Sequence, residues 1–314
     1  MMPGAAGVGS LRSVLAVADE VARALSDSRP VVALESTLIC HGLPPDRRIE
    51  VADEIEAVVR ARGAVPATVG VLDGRLVVGL IGSQLRRLAT ADGVLKLSTR
   101  DLGPALATGR DGATTVASTA VAAAQAGISV FATGGLGGVH RHARESWDES
   151  ADLAVLARTP VTVVCAGVKS ILDVGATLER LESLSVTVLG YRTDRFAGFY
   201  QSDAGYPAPW RADSAEEVAA VMRCTALLCL DPAAIIVANP LPPGQQLDPA
   251  LHRRVLAEAL AAAAEAGVGG KDVTPFLLEH FHRATGGLSV DVNVAVILAN
   301  AALAADIAVA AARL

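Results

Sequence analysis

Cysteine is scarce in this 314-residue chain, and the four present, Cys40, Cys165, Cys224 and Cys229, show neither CxxC nor mixed Cys/His spacing. That excludes a disulfide scaffold and a zinc cage, and points to reduced core thiols in an intracellular compartment. Aromatic residues supply only 3% of the chain, so its core must come from alanine, valine and leucine, with 29 glycines for tight turns. Small side chains of this kind suit close helix-on-sheet packing. Net positive charge is also missing: the formal charge is -6. A nucleic-acid backbone or an anionic membrane needs a clustered positive face, whereas a small anionic ligand needs only local charge. No apolar run of membrane length is uninterrupted, because Asn300 and Asp306 break residues 293–312, which therefore read as a buried terminal helix. The first 29 residues lack a charged region followed by an apolar core and read as an amphipathic helical lead-in without a secretion signal. GxGxxG after a strand and P-loop lysine spacing are missing too, which leaves nucleotide-cofactor readings weak.

From Pro30 onward, short apolar runs alternate with helical patterns, the signature of a sheet flanked by helices. VVALEST is a first strand, and 49–62 a helix with Val51, Ile55, Val58 and Val59 on one face. AVPATVGVLDGRLVVGL reads as a hairpin turning at Asp73 and Gly74, which makes the sheet mixed. Strands follow at 95–98, 129–133, VTVVC, VTVLGY and AAIIVANP, with helices at 114–125, 151–158 and 216–230 and alanine-rich helices to the end. No repeat or linker divides the chain, so residues 1–314 read as one three-layer α/β/α domain. Residues 194–213 form the one long stretch without periodicity, of the kind that often serves as a lid or binding loop.

Polar residues gather just past the predicted strand ends, where open α/β sheets bind ligands. Lys169 follows VTVVC, with Ser170 placed to cap a helix whose apolar positions begin at Ile171. Partial burial and the helix dipole would both disfavour the ammonium form there and ready the amine for attack on a carbonyl; the alternative is a solvated loop lysine. Glu35 interrupts an apolar strand, where a carboxylate is costly unless paired or used, so it is either a proton donor or acceptor or the partner of Arg47 or Arg48. The turn GRDGATTVAST can offer backbone N–H groups to a phosphate, or be an ordinary helix start. Lys96 can complement a phosphate charge. In FATGGLGGVHRHARESWDESADL, glycines let a loop approach a ligand, and His140, His142, Asp148, Ser150 and Asp152 follow. The hard oxygens favour Mg²⁺ or Mn²⁺ over zinc, or else Asp148 and Ser150 simply cap the next helix.

The segments VALESTLICHGLP, GAVPATVGVLDGRLVVGL, KLSTRDL, GATTVAST, FATGGLGGVHR, DESADL, VTVVCAGVKSILD, PAPWRADS, VANP and GGKDVTPFLL occur in this order. Together they resemble the pseudouridine-5'-phosphate glycosidase family, also called indigoidine synthase A-like, from about residue 31 to 307. The resemblance implies reversible cleavage of pseudouridine 5'-phosphate into uracil and ribose 5-phosphate by a cytoplasmic, Mn²⁺-using homotrimer. It further implies Lys169 as the covalent nucleophile, Glu35 as the proton donor and Asp148 as the metal ligand. Lys96, Val116, Ser150, Ala151 and Asp152 match its substrate contacts, and His140 and Asn293 fall in its active-site motifs. Two other readings keep the same residues: another imine-forming sugar-phosphate lyase, and a sugar-phosphate-binding protein without turnover. The chain departs from the family pattern in PDRRIEV after HGLP, in Glu149 beside Asp148, and in His142.

Overall fold

Along Val31–Leu34, Val31 and Ala33 point into one apolar cluster while Val32 and Leu34 point into another, as a strand covered by helices on both faces requires. The same alternation recurs at Val163 and Val164, and at Ile235 and Ile236. The computed structural model describes residues 11–141, 143–228, 232–269 and 273–314. Its strands are β1 (Leu15–Val17), β2 (Val31–Leu34), β3 (Val65–Leu72), β4 (Arg75–Val78), β5 (Leu95–Leu97), β6 (Gly112–Thr114), β7 (Val130–Ala132), β8 (Thr162–Cys165), β9 (Thr187–Tyr191), β10 (Trp210–Ala212) and β11 (Ile235–Ala238). They form one 11-stranded sheet in the order β1-β4-β3-β2-β7-β8-β11-β9-β10, with β6 pairing both β3 and β5. Pairing is parallel except where β3 meets β4 and β6, so the sheet is mixed, as the Asp73–Gly74 hairpin foretold. Both turn residues have positive φ, 50° and 71°, as the tight turn that matches strand twist demands.

One face is covered by helices such as Val116–Ala126, Ala151–Leu156 and Pro249–Glu265, through Ala117, Leu153 and Val255 among others. The other is covered by Arg48–Ala61, Ala215–Leu227 and Leu288–Ala311, through Ile55, Val218 and Ile297. This is the expected three-layer α/β/α arrangement. Leu288–Ala311 is long and apolar enough to cross a membrane, yet most of it is buried inside the protein, packed as a core helix against β2, β7 and β8.

The structure corrects several expectations. Within the described part of residues 1–29, Leu15–Val17 is a strand pairing β4, followed by a helix at Asp19–Ser26, because β4 offers a free edge that a short apolar segment can satisfy. Gly112–Thr114 belongs to the sheet and the helix begins only at Val116. The 194–213 stretch ends in β10, which extends the sheet beside β9. Cys40 and Cys165 are buried, and burial pushes both thiols up to about 12; Cys224 is exposed, and Cys229 lies outside the described residues.

Candidate active site

Three neighbouring parallel strands, β2, β7 and β8, end side by side and release Glu35, Thr133 and the segment leading to Lys169 at one sheet edge. Parallel pairing aligns all three carboxyl ends, so residues distant in sequence meet there. They open onto a cavity of about 380 Å³ lined by every site residue singled out above: Glu35, Lys96, Val116, His140, Asp148, Ser150, Ala151, Asp152, Lys169 and Asn293. His142 lies outside the described residues.

Glu35 is half-buried, and each of its carboxylate oxygens accepts a hydroxyl hydrogen bond, one from Thr37 and one from Thr133. The expected alternative partners are engaged elsewhere: Arg47 reaches Glu50 and Asp291, and Arg48 donates to the carbonyls of Leu43 and Ala89. The sequence reading missed Thr37 and Thr133. Thr37 carried a usable signal, since its hydroxyl lies two residues from Glu35 along the chain, whereas Thr133, 98 residues away, carried none.

Lys169 does not sit at a helix mouth. The helix begins at Val174, where the Asp173 side chain accepts from the Ala176 amide, and Ser170 turns inward to bond Nε2 of His252 at 2.8 Å. The dipole argument for Lys169 therefore loses its basis, and a clamped loop takes its place. The Lys169 amide donates to the Leu136 carbonyl at 3.1 Å, and the Arg141 guanidinium donates to the carbonyls of Ser170 and Ile171.

The glycine-rich segment after β7 works as the spine of the site. Leu136 bridges Val168 on one side, and Val139 bridges both Glu149 and Asp173, so this segment holds Asp148 and Lys169 about one cavity. It can do so only because it is thin: a Cβ on Gly137 would stand 2.2 Å from Oγ of Ser150 and 2.8 Å from Oδ2 of Asp152. Asp152, almost wholly buried, accepts the amides of Gly137 at 2.8 Å and Ala117 at 3.0 Å. Its carboxylate thus takes one of the helix-start amides that the sequence offered to a phosphate, while the Thr115 amide bonds the Leu97 carbonyl.

Nδ1 of His140 lies 3.7 Å from an oxygen of Asp148. Burial holds the imidazole below its usual range; Asp148 opposes this, and the Lys96 and Lys169 charges reinforce it. These four groups therefore share one electrostatic neighbourhood. Glu149 turns away to Arg180, its Oε2 3.0 Å from Nε. Among the described residues no three His, Cys, Asp or Glu side chains converge as a metal cage. The single half-exposed Asp148 carboxylate suits a hard divalent ion that keeps most of its waters, the ordinary habit of Mg²⁺ and similar ions. Among the described residues, Oδ1 of Asn293, buried at the cavity wall, has no hydrogen-bond partner and can receive one from a ligand.

The chain is similar in sequence and fold to known proteins. The family described as "Indigoidine synthase A like protein" matches residues 20–310. A pseudouridine-5'-phosphate glycosidase of Salinispora tropica is 62% identical over 293 residues, covering 93% of this chain and 90% of that protein. The crystal structure of the prealnumycin C-glycosynthase AlnA in complex with ribulose 5-phosphate is 42% identical, with a TM-score of 0.88 over 96% of this chain and 97% of that one. An indigoidine synthase A-like protein from Thermotoga maritima is 33% identical, with a TM-score of 0.85 over 94% and 96% of the two chains.

Proposed function

The chain belongs to the indigoidine synthase A like family, and from that premise we propose that it cleaves the carbon–carbon glycosidic bond of pseudouridine 5'-phosphate, giving uracil and ribose 5-phosphate. The observation that carries the reading is the convergence of Glu35, Lys169, Lys96 and Asp148, from four separate segments, on one cavity. A sugar phosphate as ligand is further supported by the ribulose 5-phosphate held in the related C-glycosynthase.

The bond to be broken joins uracil C5 to ribose C1', so there is no exocyclic oxygen for an acid to protonate, the usual first step of glycoside cleavage. An electron sink is needed instead. In the proposed sequence Glu35 gives a proton to the ring oxygen as the C1'–O bond opens, and the neutral Lys169 amine adds at C1'. The added nitrogen, now positively charged, gives a proton to the Glu35 carboxylate; the C1'–C5 bond then breaks, its electron pair passing to uracil C5, which takes that proton, while the nitrogen lone pair forms the C=N bond of a protonated imine. Water hydrolyses the imine, releasing ribose 5-phosphate and restoring Lys169.

Lys96 supplies positive charge for the phosphate, beside Val116 and Ser150–Ala151 at two helix starts. Asp152 supports those contacts by fixing the loop rather than by offering a free oxygen, since both its oxygens already accept amides. Asp148 would hold Mn²⁺, with His140 beside it; the ion would orient the substrate or polarise bound water. Asn293 would accept a donor of the substrate. A homotrimer in the cytoplasm completes the reading; sedimentation equilibrium tests the trimer.

The deciding experiment is borohydride reduction in the presence of ribose 5-phosphate, followed by peptide mass mapping. A sugar adduct on Lys169, with uracil release lost in Lys169→Ala, is the expected result. Uracil release that persists in Lys169→Ala, with no adduct in the wild type, would overturn it.

A further inference from the structure

Asn300 is fully buried in the long apolar helix Leu288–Ala311, among Ile297, Ala301 and Ala304. A side-chain amide in such surroundings is costly unless every polar atom is used. Here each is used: Nδ2 donates to the Thr133 carbonyl at 2.8 Å and lies 3.3 Å from the Gly134 carbonyl, while Oδ1 accepts from Nδ2 of Asn239 at 3.0 Å. Asn239 is itself fixed just past β11, its backbone amide donating to the Cys165 carbonyl at 2.8 Å. One amide thus ties the end of β7 to the end of β11, at the point where β7 gives way to two glycines, adding to the bonds that the Thr133 amide makes to the Val164 carbonyl at 3.0 Å and the Gly134 carbonyl accepts from Ala166 at 2.9 Å.

Thr133 is the residue so held, and its hydroxyl donates to Glu35. Of the two hydroxyls that orient the Glu35 carboxylate, Thr37 is held within the short helix Thr37–His41, and Thr133 is held at its amide by the Val164 carbonyl and at its carbonyl by Asn300. We infer that Asn300 is a positioning residue for Glu35, acting through Thr133, which rests on the reading of Glu35 as proton donor. Asn300 is not among the residues lining the cavity, so it acts only through the geometry it imposes.

The role predicts a split between two half-reactions. Cleavage of the nucleotide needs the Glu35 proton to open the ribose ring. Imine formation from free ribose 5-phosphate needs much less of it, because the open-chain aldehyde is already present in solution. The test compares wild type, Lys169→Ala, Asn300→Leu and Asn239→Ala, measuring kcat and KM for uracil release and the extent of borohydride-trapped ribose 5-phosphate per folded molecule. In Asn300→Leu, kcat for uracil release should fall by about tenfold or more, part of what a general acid contributes, with KM and trapping each within about twofold of wild type. Asn239→Ala should shift the same way by a smaller factor, and decides alone by the same criteria if Asn300→Leu is insoluble. Uracil release and trapping falling by one common factor would mean general loosening of the site and would overturn the inference, as would unchanged release. A wild type that neither releases uracil nor traps the sugar overturns the proposed function instead.

Discussion

The Gly137 amide stands 2.8 Å from Oδ2 of Asp152, and the other oxygen of that carboxylate receives the Ala117 amide at 3.0 Å. One buried side chain therefore joins the glycine spine of the site to the start of the Val116–Ala126 helix. Asp152→Asn replaces one of two acceptors with an NH₂ group facing an N–H. The expected cost is about 1–3 kcal/mol, read as a lowered urea midpoint with unchanged slope.

Gly167 makes a comparable close approach. Its φ is +76°, and an added Cβ would stand 1.9 Å from the Ala197 carbonyl oxygen. Gly167→Ala must displace either that backbone or the loop carrying Lys169, so the soluble yield or the melting temperature should drop well beyond the effect of Gly109→Ala. Gly109 also has positive φ but, among the described residues, nothing within 4 Å of the added atom, so the pair separates crowding from backbone strain.

Lys169→Arg keeps a cation but cannot form an imine with a sugar aldehyde. Turnover should fall by about a thousandfold or more, while circular dichroism and the melting temperature stay close to wild type. Retained turnover would show that the lysine serves by charge alone.

Asp148→Asn removes the carboxylate charge expected to draw a divalent ion. Mn²⁺ affinity, followed by the electron paramagnetic resonance of free ion, should weaken by about tenfold or more, with the fold unchanged. Equal affinity in the variant would move the metal elsewhere.

The buried His252 imidazole is pushed down to about 4, first by desolvation and then by the Arg141 and Arg253 charges. The unfolded chain therefore binds this proton more readily than the native state does. Stability is full above about pH 6.5 and declines as pH falls towards about 4, by roughly 3 kcal/mol for this group. His252→Gln should flatten that part of the pH-stability curve relative to wild type in urea titrations. An identical slope in both proteins would remove His252 from the account.

Much of the fold was legible along the chain. The apolar runs from β2 to β11 and the Asp73–Gly74 hairpin carry periodicities that neighbouring residues reveal without tertiary information. The short strands Leu15–Val17, Gly112–Thr114 and Trp210–Ala212 were not legible, because each is a strand only by virtue of a partner edge supplied from elsewhere. Glu35 and Lys169 stood out as polar groups at the ends of apolar runs. Thr133, Arg141, Asn239 and Asn300 did not, since ordinary residue types acquire their roles only through hydrogen bonds across long sequence separations.

By itself, the sequence determined the alternation of strand and helix and the chemistry available at the strand ends, because both depend on local spacing and on the side chains themselves. Only the tertiary structure decided that β2, β7 and β8 lie side by side, that Asp152 closes the glycine spine and that Lys169 rests in a clamped loop. Those outcomes depend on strand order and on the close approach of distant backbones, which local spacing does not encode.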